Sequence, residues 1–196
     1  MDGEQGECEI QADDASPLFD KTGMDYQEFP SDYSQIRFYA MTLTRSAPQE
    51  AWEVALLEQQ ISEIITNAIK HGNKNDPKKK VRIWSQFTPD MAHLIVEDEG
   101  EGFKELEQWN AFSRKRFRQV RERNYDELGK YASFHGSSSD ESDGGNALFA
   151  AVEYWNAGIV FNGKRNAVAM KKLFKAKAGA AEPPTHGLQA STRPRP

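Results

Sequence analysis

The sequence predicts an α+β domain. Three observations carry that reading: a long helical repeat of apolar residues over 49–71, two pairs of β-rich stretches each closed by a turn, and a polar stretch of about forty residues between them. The chain has 196 residues, enough for one well-packed domain and short for two. Its hydrophobic fraction of 38% is low only because both ends are polar.

The elements follow in order. Residues 24–29 read as a short strand, and Pro30-Ser31-Asp32 supplies punctuation and capping chemistry for a helix over 31–46, with Tyr33, Ile36, Ala40 and Leu43 at helical spacing. Pro48 restarts the chain. The segment 49–71 places Trp52, Ala55, Leu56, Ile61, Ile64, Ile65 and Ala68 on its expected buried side, and Gly72-Asn73 stops it as a helix C-terminus. A polar, basic connection leads to strands at 81–87 and 92–97, turned by Thr88-Pro89-Asp90. Residues 104–143 begin as a basic, helix-like stretch and end in a Ser/Asp/Gly run; this composition predicts a mobile functional segment outside the core. An apolar helix follows over 147–155. Strands at 158–162 and 166–174 then close on a hairpin-type Asn162-Gly163 turn.

Charge is segregated along the chain behind a formal net value of −5. Residues 1–32 hold ten acids against Lys21 alone, and residues 171–196 hold six Lys or Arg against Glu182 alone. Such blocks read as solvated tails, so 1–23 is expected to be a disordered leader and 175–196 a disordered basic tail, and nucleic acid is not implied. The single cysteine, Cys8, leaves no internal disulfide and fits a reducing, cytoplasmic setting. With neither a signal-type N-terminus nor a run of about 20 apolar residues, membrane insertion is not expected.

The candidate site lies between 61 and 103. Glu63, Asn67 and His71 recur every four residues and share one helix face, where a purely solvated face would carry Lys and Glu. The second strand of the first hairpin runs into Asp98-Glu-Gly100-Glu-Gly102-Phe103, whose glycines let the backbone turn and approach a ligand closely. Magnesium takes oxygen ligands and leaves most positions to water and phosphate, so one amide oxygen from Asn67 is a sufficient protein contribution. Glu63 is placed to orient or deprotonate a hydroxyl. Asp98 is suited to accept a hydrogen bond from an exocyclic amine. Taken singly, each has a plainer reading: a polar helix face, a turn, and for His71 a last-turn residue that suits the helix dipole.

The order of these elements resembles the histidine-kinase-like ATPase (GHKL) superfamily, and within it the bacterial anti-sigma factor serine/threonine kinases. Glu63-Ile-Ile-Thr-Asn67-Ala68-Ile-Lys-His71-Gly72 is similar to the family's first motif, and Asp98-x-Gly100-x-Gly102-Phe103 to its second. The third, a Gly-x-Gly before an apolar helix, corresponds to Gly144 and Gly145-Asn146-Ala147, with Ala147 at the second glycine. Near the last strand, Arg165-Asn166 stands where the family often has Gly-Thr. The resemblance covers about residues 24–174 and implies a two-layer α/β sandwich with a mixed, mainly antiparallel sheet and helices on one face. It makes 104–144 an ATP lid. It also implies ATP and Mg2+ as cofactors, Glu63 as catalytic base, Asn67 as magnesium ligand and Asp98 as the reader of adenine. His71, Gly100, Gly102, Phe103 and the third-motif residues complete the nucleotide site. The function implied is a regulatory kinase that phosphorylates a serine on an antagonist protein and sequesters a sigma factor or similar client, and a homodimer is compatible with it. A nonenzymatic, degenerate ATP-binding module that holds a partner is the alternative.

Overall fold

The computed structural model describes residues 9–134 and 147–175. Six strands form one sheet in the order β1-β5-β6-β4-β3-β2. These are β1 (Gln11–Ala12), β2 (Asp25–Pro30), β3 (Lys80–Phe87), β4 (Met91–Glu97), β5 (Ile159–Phe161) and β6 (Ala167–Leu173). Among the described residues, β1 and β5 pair in parallel and every other pairing is antiparallel. The helices are α1 (Ile36–Thr44), α2 (Ala51–Asn67), α3 (Leu106–Glu122), α4 (Tyr125–Leu128) and α5 (Ala147–Tyr154). The two-layer α+β architecture is the expected one.

One face of the sheet carries the principal core. Ile83, Leu94, Val96 and Met170 meet Leu43 of α1, Ile61 and Ile65 of α2, and Ala151 of α5. Burial of β3 alternates, as one covered face requires, but Ala92 to Val96 of β4 are all buried because its second face is covered too. There Ile95, Val160 and Ala169 lie beneath Leu18, Phe19 and Met24, with Trp84 alongside.

That covering overturns the reading of the leader for residues 9–23. Ile10 is 0% exposed, β1 extends the sheet, and a 3-10 turn at Pro17–Phe19, capped by Ser16, sits on the sheet's second face. His93 Nε2 lies 2.8 Å from the Leu18 carbonyl and Lys21 Nζ 3.3 Å from the Trp84 ring centroid. Asp13, Asp14 and Asp20 are exposed, while Ile10 is buried and Leu18 and Phe19 are half-buried.

Three further expectations change. Trp52 and Leu56 are exposed at 64% and 45%, and Leu57 is the buried residue instead, because the first turns of α2 overhang the core. The first half of α3 belongs to the core: it buries Leu106, Trp109 and Ser113, and Trp109 packs with Phe149 and Ile10 in a second cluster. The last hairpin turns through a longer loop than Asn162-Gly163. Asn162 Oδ1 accepts the N–H groups of Asn166 and Ala167, each at 3.0 Å, and Arg165 takes a left-handed φ of 63°.

The changed phase of α2 is measurable. Leu57→Ala should lower stability by about 3 kcal/mol in urea unfolding, through lost burial and a cavity. Leu56→Ala should stay within about 0.5 kcal/mol of the parent.

Candidate functional site

A cavity of about 1480 Å³ opens between α2, the loop after β4, the β5–β6 loop and α3, larger than the roughly 300–1,000 Å³ of most small-molecule clefts. Its lining includes Glu63, Asn67, His71, Asp98, Gly100, Gly102 and Phe103. Residues of the first and second motifs therefore meet around one space. Glu63 is exposed at the rim, whereas Asn67 and His71, each a turn further along, are half-buried. Gly144, Gly145 and Asn146 lie outside the described residues. Ala147 opens α5, and its neighbour Leu148 lines the cavity.

The end of α2 is shaped to meet the loop after β4. After Asn67 the helix widens into a π-helical turn, Ala68–Gly72, in which the Asn73 N–H reaches the Ala68 carbonyl at 2.8 Å. A Cβ on Gly72 would stand 2.3 Å from the Asp98 carboxyl carbon, so only glycine lets that acid lie over the helix end. Gly102 is similarly constrained: its φ is 88°, and a Cβ there would meet the Lys164 carbonyl oxygen at 1.9 Å.

Asp98 is held from three directions. Its N–H donates to the Asn166 carbonyl at 2.9 Å, its carbonyl accepts from Asn166 Nδ2 at 2.6 Å, and its Oδ1 accepts the Gly100 N–H at 2.7 Å. Asn166 thus acts as a clamp on the Asp98 backbone, and Asn162 Nδ2 donates to Asn166 Oδ1 at 3.0 Å. Phe103 closes this end, its N–H on the Arg165 carbonyl at 2.9 Å and its ring 5.8 Å from that of Phe161. The Arg165 guanidinium meets the Glu107 carboxylate of α3.

Sequence reasoning took Asn73 for a helix stop and Ser31 for part of a cap. Both are buried structural keys. Asn73, 0% exposed, donates from Nδ2 to Ser31 Oγ at 2.7 Å and to the Lys80 carbonyl at 2.9 Å, and its Oδ1 accepts the Glu99 N–H at 2.7 Å. The capping role falls to Asp32, which accepts from the Ser34 N–H at 2.9 Å. Trp109, on the cavity wall, was also missed; its place in a helix rich in arginine gave no sign of burial.

Burial pushes the Asp98 carboxyl up to about 6, against the opposing pull of the Gly100 N–H and of Lys164 and Lys79. The fold therefore favours the protonated acid relative to the unfolded chain, where an aspartate titrates near 3.9. That contribution is full below about pH 4 and is lost as pH rises through about 6. In ligand-free protein, Asp98→Asn should raise the urea midpoint above the parent's at pH 7.5, and the two midpoints should converge near pH 4. Asn73→Ala should cost about 2–4 kcal/mol at any pH in that range, since Ser31 and the Glu99 N–H lose a buried partner.

A family model described as a histidine kinase-like ATPase domain matches residues 28–172. Over 56 residues the chain is 38% identical to the anti-sigma F factor of Shouchella clausii (strain KSM-K16). Over the same length it is 39% identical to those of Geobacillus stearothermophilus and Geobacillus kaustophilus (strain HTA426). Each match covers 29% of this chain and 38% of the relative, well under half of either. The family match itself runs from within β2 to within β6, and so the chain belongs to the histidine kinase-like ATPase domain family, whose description implies ATP binding.

Proposed function

We propose that the chain is an ATP-dependent regulatory serine/threonine kinase of the anti-sigma, partner-switching type. It would phosphorylate a serine on an antagonist protein and sequester a sigma factor or similar client. The observation that carries the reading is the position of Glu63. It stands exposed at the mouth of the cavity, one helical turn from Asn67, where a hydroxyl presented by another protein reaches it without entering the domain. The names of the anti-sigma F relatives support the client class.

The residues present suit ATP with magnesium. Asp98 offers a half-buried carboxylate oxygen beside a loop whose glycines bring bare backbone to the cavity, which suits an exocyclic amine on a flat ring. Lys74, Lys79, Lys104 and Lys164 supply positive charge along the lining. Asn67 would hold magnesium through its amide oxygen, and the metal would neutralise charge on the phosphates. Glu63 would take the proton from the serine hydroxyl, whose oxygen would bond to the γ-phosphorus as the bond to the bridging oxygen breaks and ADP leaves. Residues 104–144 serve as the lid in this reading, with α3 as its anchored half.

One observation favours a nonenzymatic ATP-binding module that holds a partner. The third motif reads Gly145-Asn146-Ala147, and α5 begins at the alanine. Glu63 separates the two readings. Glu63→Gln should leave ATP affinity within about two-fold by calorimetry and lower phosphoryl transfer to a copurifying serine-containing antagonist by about 10²-fold or more, since an amide cannot accept the proton. Asn67→Ala should weaken magnesium-dependent ATP binding itself. A parent protein that binds ATP and its client but transfers no phosphate, with Glu63→Gln indistinguishable from it, would establish the binding module.

A further inference from the structure

Residues 9–14 lie in a groove between α3 and the edge of β5, held by contacts of a particular kind. Ile10 is the one large anchor, 0% exposed against Leu106, Trp109 and Phe149, while Gln11, Ala12, Asp13 and Asp14 are exposed. The backbone of Ile10 is held by a side chain: its N–H donates to Asn110 Oδ1 at 3.0 Å and its carbonyl accepts from Asn110 Nδ2 at 2.9 Å. A single asparagine amide thus supplies the donor and acceptor that a neighbouring strand would offer. Arg114 Nη1 lies 2.6 Å from the Glu9 carboxylate.

The far wall holds the rest of the segment. Gln11 and Ala12 pair in parallel with Val160 and Phe161, and the Asp13 N–H donates to the Phe161 carbonyl at 2.8 Å. Asp14 Oδ1 accepts the Gly163 N–H at 2.9 Å. A core strand would bury alternate side chains along its length; this one buries a single side chain and is held otherwise through its backbone and its acids. Those are the marks of strand addition to a sheet edge, where main-chain bonds give affinity and one pocket gives selectivity. The segment lies at the sheet's edge, and β5 pairs with β6 on its other side.

We propose that this groove is a docking site for an extended acidic–aliphatic peptide of the pattern Glu-Ile-x-Ala-Asp-Asp, occupied in cis by the chain's own residues 9–14. Arg114 reads the first acid, the Leu106/Trp109/Phe149 pocket the aliphatic residue, Asn110 its backbone, and Gly163 the last acid. Tethering gives the cis segment a high effective concentration, so a partner peptide of the same chemistry gains the groove only when the cis anchor is weakened.

The test uses the full chain and a fluorescein-labelled peptide with the sequence of residues 9–16. By anisotropy, Ile10→Asp protein should bind the peptide at least about ten-fold more tightly than the parent, whose groove is filled. Adding Asn110→Ala to Ile10→Asp should undo most of that gain, and a peptide with Asp in place of Ile should not bind. Ile10→Ala is the milder second variant, with the same direction expected. Equal binding by parent and variants, or indifference to Asn110→Ala, would overturn the proposal. Loss of native near-ultraviolet circular dichroism in both Ile10 variants would overturn it too, by making residues 9–14 core.

Discussion

The buried amide of Asn73 is the constraint on which the site depends. It joins four stretches that are distant in sequence: the end of α2, Ser31 ahead of α1, the start of β3 at Lys80, and the loop after β4 at Glu99. Both of its N–H groups and its carbonyl oxygen are engaged, and a fully satisfied buried amide specifies one arrangement because any other leaves polar atoms dry and unpaired. Asp98 is fixed as a consequence. The Glu99 backbone is tied to Asn73, and the Glu99 carboxylate lies 2.6 Å from Arg82, which also reaches Glu97 at 3.3 Å and Glu28 at 3.4 Å. Of three consecutive acids, two are drawn to the arginine and Asp98 is left over the cavity.

The two loops around Asp98 form a single unit. Asn166 binds both backbone groups of Asp98, and Asn162 binds Asn166 and the start of β6, so the β5–β6 turn and the loop after β4 support one another. Neither loop has a regular ladder of its own here. Asparagine side chains, with donor and acceptor on one short stem, supply the bonds that strand pairing would otherwise provide.

Much of this was legible where the sequence repeats with a period. Glu63 and Asn67 of α2, His71 in the turn that follows, the strands around the first hairpin and the glycine-rich loop all follow local rules, and residue types suggested that they frame one pocket. Other features depend on what lies across space. Ile10, Leu18, Phe19 and Met24 have no period among their acidic neighbours, so nothing local marks them as a cover for the sheet. The spacing of Leu56 and Leu57 cannot show where the core ends, and the overhang of α2 decides which of the two is buried. In α3 the arginines mask a narrow buried stripe at Leu106, Trp109 and Ser113. Asn73 was visible as a residue but not as a key, because its partners come from segments as far as 42 positions away.

The cover on the second face of the sheet bears on where a shortened version of this protein can safely begin. The family match starts at residue 28, yet Leu18, Phe19 and Met24 lie before it and shield Ile95, Val160 and Ala169. A fragment cut at the family boundary would retain every residue of the cavity and present an uncovered aliphatic strip to water. Such a strip favours self-association. Poor behaviour of that fragment would then report a missing lid on the back of the sheet, not a defect in the ATP-binding face.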